Sequence, residues 1–120
     1  MLTISSISPR VEDNIRLDFL TTEGLVGEVE ISKKHNQIGV WNLQIFPDFR
    51  GRGYGNLLAI ELVEMIKNYF WDFERMYLYV FPDNEKAIKS YKKAGLLINQ
   101  DVNEYAKLFT HPIILMEMLL

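Results

Sequence analysis

The segment Arg50-Gly51-Arg52-Gly53-Tyr54-Gly55 constrains this chain more than any other, because it joins two stretches of different periodicity. Before it, Gln37 to Phe46 is a near-continuous apolar run stopped by Pro47, the pattern of a strand covered on both faces. After it, Leu58, Ala59, Leu62, Ile66, Tyr69 and Phe70 recur on one helical stripe, while Asn56, Glu64, Lys67 and Asn68 face away. A glycine-rich turn between a buried strand and a helix start can aim several backbone N–H groups at one point, and the helix end adds partial positive charge. A phosphate or pyrophosphate suits that geometry. Glycines at such junctions also serve purely steric ends, and that reading stands beside the first.

The rest of the chain builds around this unit. Thr3–Ser8 reads as a first strand, and Asn14–Thr21 and Leu25–Ser32 as alternating strands flanking the hairpin turn Thr22-Glu23-Gly24. Lys33-Lys34-His35-Asn36 makes a second turn. Beyond the first helix come a strand over Arg75–Phe81 and a helix over Asn84–Ala94 with Ala87, Ile88, Tyr91 and Ala94 inward, capped by Asp83 or Asn84 and ended by Gly95. Leu96–Asn99 and His111–Leu120 are the last strands, with a polar connection around Asp101–Glu104. The expected fold is α/β: one domain over residues 1–120, with a mixed, mostly antiparallel sheet, a central parallel strand pair and flanking helices.

Composition removes several chemistries. There is no cysteine, so a disulfide framework, a cysteine nucleophile and a cysteine zinc site are out. The net charge of -3 argues against a surface that tracks nucleic-acid phosphates. The amino-terminal residues do not read as a signal peptide and no run approaches the ~20 apolar residues of a membrane helix, so a cytoplasmic protein without a membrane partner is expected. His35 and His111 lack metal-ligand spacing and read as surface residues; no metal is expected.

Spacing separates the phosphate-binding candidates. A P-loop closes on Gly-Lys followed by Ser or Thr, whereas this turn closes on Gly55-Asn56-Leu57. A dinucleotide fingerprint needs G-x-G-x-x-G, and Asn56 stands where its last glycine belongs. Position for position, Arg50-Gly51-Arg52-Gly53-Tyr54-Gly55 resembles the turn of the Gcn5-related N-acetyltransferase family. Leu43-x-Ile45-x-Pro47 is similar to that family's fourth strand, and Asn84-x-x-Ala87-x-x-x-Tyr91-x-x-x-Gly95-Leu96 to the second motif on its last helix. The resemblance runs from about Leu25 to the end of the sequence.

It implies an acyl-CoA N-acyltransferase-like fold in which the parallel strands carrying Leu43–Phe46 and Tyr77–Phe81 splay apart around acetyl-CoA, the acyl-donor cosubstrate. Leu43 and Ile45 would meet the pantetheine arm. Backbone N–H groups of Gly51, Arg52, Gly53, Tyr54 and Gly55 would take the pyrophosphate, with Arg50 and Arg52 either adding phosphate contacts or simply solvated. Asn84 matches the family's coenzyme-contacting asparagine or is only a helix cap. Tyr91 matches the tyrosine that protonates the departing thiolate, against the alternative of a ring packed in the core.

The implied activity is acetyl transfer to a primary amine, on a protein lysine or amino terminus or on a small molecule, by direct attack. The alternative is a non-catalytic acetyl-CoA-binding or protein-interaction module. No carboxylate occurs in Gln37–Asn42, where the family often places its base, which leaves water held by Asn42, or Glu28 or Glu30. Only Pro9-Arg10-Val11-Glu12-Asp13 separates the first two strands, too little for the helices that usually wall the acceptor site. An open groove for a bulky acceptor, or one closed by a second subunit in a homodimer, follows. The apolar run Ile113–Leu120 fits the homodimer or burial in the core.

Overall fold

The computed structural model describes residues 3–11, 14–99 and 113–120. Its elements run β1 (Thr3–Val11), β2 (Asn14–Thr21), β3 (Gly24–Lys34), β4 (Gln37–Ile45), a 3-10 turn (Pro47–Phe49), α1 (Tyr54–Tyr69), β5 (Arg75–Val80), α2 (Glu85–Ala94), β6 (Leu97–Asn99) and β7 (Ile114–Leu119). They form one mixed sheet of order β1-β2-β3-β4-β5-β7-β6. The expected His111 strand start and the connection around Asp101–Glu104 lie outside the described residues.

The antiparallel half is built from tight hairpins. Thr21 pairs with Gly24 across the two turn residues Thr22 and Glu23, and Lys34 pairs with Gln37 across His35 and Asn36. His35 (φ 51°) and Asn36 (φ 60°) are both left-handed, the geometry whose twist matches a two-residue hairpin. The second turn is therefore shorter than its polar stretch suggested, and Lys33 and Lys34 belong to β3.

The central pair, β4 and β5, is parallel, with α1 as the crossover. Strand β6 runs parallel to β5 in the same sense, with α2 as crossover and β7 between them. Two successive right-handed crossovers in one direction put both helices on one face of the sheet. Ser90 of α2 accordingly donates to Asn56 Oδ1 of α1 at 2.5 Å.

The core fills the space between that face and the helices. Leu17, Phe19, Val29, Ile31, Ile38, Met76, Leu78 and Met116 meet Leu58, Leu62, Val63 and Ile66 in one buried cluster. Truncating Leu62, which is 1% exposed, to alanine should cost about 2–5 kcal/mol.

Two expectations need correcting. Tyr69 sits on the predicted inward stripe yet is 70% exposed at the final residue of α1, and the following Phe70 instead packs against the core. Nor is β4 covered throughout: Ile38, Gly39 and Val40 are buried, but Trp41 and Asn42 are exposed. The cause is a bulge. Glu28 pairs with Gln44 and Glu30 with Trp41, so one extra residue lies on β4, and Asn42 takes φ 54°. The extra residue shifts the alternation by one, so that Ile38, Val40, Leu43 and Ile45 all pack on the helix side while Trp41 and Gln44 turn away.

Candidate active site

Pairing between β4 and β5 runs from Gln37↔Arg75 to Val40↔Leu78 and stops there, immediately before the bulge. Strand β4 continues to Ile45 and β5 to Val80, so the two part company. The β4 backbone beyond Val40 thus has no β5 partner, and its amide groups on that side are open to a ligand.

The glycine turn closes the other end of the same opening. Gly51 (φ 78°) and Gly53 (φ 83°) are both left-handed, and a side chain at either would be strained even though open space surrounds it. Gly53 is also the N-cap residue of α1 and offers no side chain to the first helical N–H groups, which are left pointing outward. Gly55 differs from both. Its backbone is ordinary, and an added Cβ would meet only Ser90 Oγ, at 4.0 Å, in the gap between the helices.

Opening, turn and helix α2 enclose a cavity of about 660 Å³. Leu43, Ile45, Arg50, Gly51, Gly53, Tyr54, Gly55, Asn84 and Tyr91 all line it. Arg52 does not. Its guanidinium pairs with Glu23 of the β2–β3 turn at 2.9 Å and lies 5.5 Å over the Phe49 ring, so that side chain is drawn away from the cavity. Arg50 lines the cavity while its Nε donates to the Ile45 carbonyl at 2.9 Å, fixing its stem against the end of β4.

On α2, Asn84 is the N-cap, its side-chain oxygen accepting from the Ala87 N–H at 3.3 Å. Gly95 ends the helix in the left-handed region at φ 110°. Tyr91 is half-buried between cavity and core, and burial pushes its hydroxyl up to about 12. At neutral pH it therefore keeps its proton and is available as a hydrogen-bond donor.

Lining residues that the sequence reading passed over include Gln44, Asn56, Ser90, Lys86, Lys89 and Lys93. The lysines recur at helical spacing, a signal that is visible in the sequence but is ordinarily that of a solvated face.

The opposite face of the sheet carries different chemistry. Trp41, Tyr77 and Tyr79 form an aromatic group with ring centroids 5.7–6.2 Å apart. Trp41 donates its indole N–H to Ser32 Oγ at 2.9 Å. A Cβ at Gly39 would come within 2.8–2.9 Å of Ser32, Trp41 and Tyr77 side-chain atoms, so this close grouping depends on glycine there. Glu28 accepts from Arg16 at 2.5 Å and from Gln44 at 2.7 Å. Asn42 donates to Glu30 at 3.5 Å, and Arg75 pairs with Glu117. All three expected stand-ins for a base, Glu28, Glu30 and Asn42, therefore sit at or beside this face.

Among the described residues no helix is long and apolar enough to cross a membrane. The family model of the acetyltransferase (GNAT) family matches residues 11–96. No curated protein sequence matches the chain significantly. Among solved structures, spermidine N-acetyltransferase from Vibrio cholerae, crystallised with CoA and spermine, superimposes with a TM-score of 0.74 at 20% identity over 89% of this chain and 66% of that one. An N-acetyltransferase from Campylobacter jejuni bound to acetyl coenzyme A gives 0.71 at 15% identity, covering 91% and 70%. The IAA acetyltransferase from Bacillus cereus gives 0.72 at 15% identity, covering 91% and 79%. The chain thus spans just under two thirds of the length of the Vibrio cholerae enzyme.

Proposed function

Because this chain belongs to the acetyltransferase (GNAT) family, we propose that it moves an acetyl group from acetyl-CoA directly to a primary amine. The observation that carries the proposal is the parting of β4 and β5 beyond Val40↔Leu78, which opens onto a cavity closed by the glycine turn. Gly51, Gly53 and the first turn of α1 suit the pyrophosphate. The unpaired edge of β4 suits an amide-bearing arm, and Leu43 and Ile45 suit its methylene groups. Both helices flank this side of the sheet, so the acceptor amine approaches from the aromatic face.

In the reaction the neutral amine attacks the thioester carbonyl, the C–N bond forms, the C–S bond breaks, and sulfur leaves as thiolate. Holding the two reactants in line can lower the barrier by several kcal/mol. Tyr91 faces the cavity with its proton in place up to about pH 12. A free thiol titrates near 8.5, so complete transfer from the tyrosine would run roughly 3–4 units uphill. Its contribution is therefore a hydrogen bond to the developing thiolate. The amine's own proton is lost on the aromatic face, to Glu28, Glu30 or water.

The test is release of free thiol from acetyl-CoA by the purified chain against a panel of polyamines, aminoglycosides and lysine peptides. Amine-dependent thiol release supports transfer. Coenzyme binding with no release to any amine would indicate a binding module instead.

A further inference from the structure

The cavity is more cationic than a pyrophosphate requires. It is lined by Arg50, Lys86, Lys89 and Lys93 and by no aspartate or glutamate, in a chain of net charge -3. The three lysines belong to α2, whereas the glycine turn leads into α1. At about 100° per residue, positions 86, 89 and 93 fall within an arc of about 60° on α2, beside the Ala87 and Tyr91 face that packs on the core. None of the three forms an ion pair among the described residues. Lys92, on the same helix, is exposed and does not line the cavity. Three like charges gathered on one wall repel one another unless an anion lies between them.

We propose that Lys86, Lys89 and Lys93 form a second phosphate site, which takes the 3′-phosphate on the ribose of coenzyme A and makes the chain select the 3′-phosphorylated donor. This rests on the acetyl-CoA reading above and adds a distinct contact to it. The turn binds the pyrophosphate through backbone N–H groups, which cannot tell coenzyme A from its dephospho form. The lysine wall makes that distinction, as flexible point charges suited to a phosphate dianion.

The experiment compares the dissociation constants of acetyl-CoA and acetyl-dephospho-CoA, in the wild type, in the triple variant Lys86→Gln/Lys89→Gln/Lys93→Gln and in the control Lys92→Gln. Exposed charge pairs contribute up to about 1 kcal/mol each, so the wild type should prefer acetyl-CoA by roughly tenfold or more. The triple variant should bind both donors alike, at the wild type's affinity for the dephospho form, and Lys92→Gln should keep the full preference. A wild type that binds both donors equally overturns the proposal and leaves the acetyl-CoA reading intact. A triple variant that keeps its preference overturns it also, as does a Lys92→Gln variant that loses it, because the effect would then be one of overall helix charge. Binding of neither donor by the wild type overturns the acetyl-CoA reading together with the proposal.

Discussion

The two faces of the sheet differ in what they leave bare. The helix side presents a cavity with four cations and no carboxylate on its lining. The other side presents Trp41, Tyr77 and Tyr79 among Glu28, Glu30 and Glu117, with Arg16 and Arg75 already paired. The same strands supply both, and the bulge at Asn42 is what divides them: it returns Leu43 and Ile45 to the helix side after Trp41 has turned outward. The proposed function places an anionic donor and an amine acceptor on opposite sides of this one opening. The difference also separates two kinds of recognition. On the proposed reading, backbone geometry and the α2 lysines serve the donor side, whereas the aromatic and acidic side chains of the other face serve the acceptor.

The largest effect expected is on chemistry alone. Tyr91→Phe should lower kcat by about 100-fold, within the range for removing one hydrogen-bond donor to a developing anion, and leave the KM for acetyl-CoA within twofold. A rate that falls with a pKa between 8 and 10 and loses that dependence in the phenylalanine variant would contradict a hydroxyl held at about 12.

Next comes the donor side. Gly55→Asp puts a carboxylate into the gap toward Ser90, in the first turn of α1, where negative charge favours the helix. The melting temperature should hold or rise while acetyl-CoA affinity falls by some tens of fold. Unchanged affinity would remove the turn from the donor site.

On the other face, Trp41→Ala should raise the KM for the amine by about tenfold, in keeping with the loss of a cation–π contact, with donor KM unchanged. A shift in donor KM instead would break the division between the faces. The smallest effect is expected from Arg52→Gln. Its partner is Glu23, so donor affinity should change less than twofold, whereas Arg50→Gln should weaken it several-fold.

Much of this was legible in the sequence because it depends on local periodicity. Alternation located β2 exactly, the helical stripe found α1, and Asn84 and Gly95 marked the ends of α2. The parallel pair followed from a strand–helix–strand order. What was not legible depends on partners far along the chain. Arg52 reads like Arg50 until Glu23, 29 residues earlier, is brought beside it. The bulge shows only in the ladder between β3 and β4, although an asparagine, which tolerates the left-handed region, stood at the position that needed it. Lys86, Lys89 and Lys93 look like any solvated helix face until the splayed strands and the glycine turn are placed across from them.

Calorimetric titration of acetyl-CoA into the wild type and Gly55→Asp measures directly whether the helix-side cavity is the donor site. One molecule bound per wild-type chain, with binding weakened by some tens of fold in the equally stable variant, is the predicted result. No heat of binding in the wild type, or equal affinity in the two proteins, would contradict it.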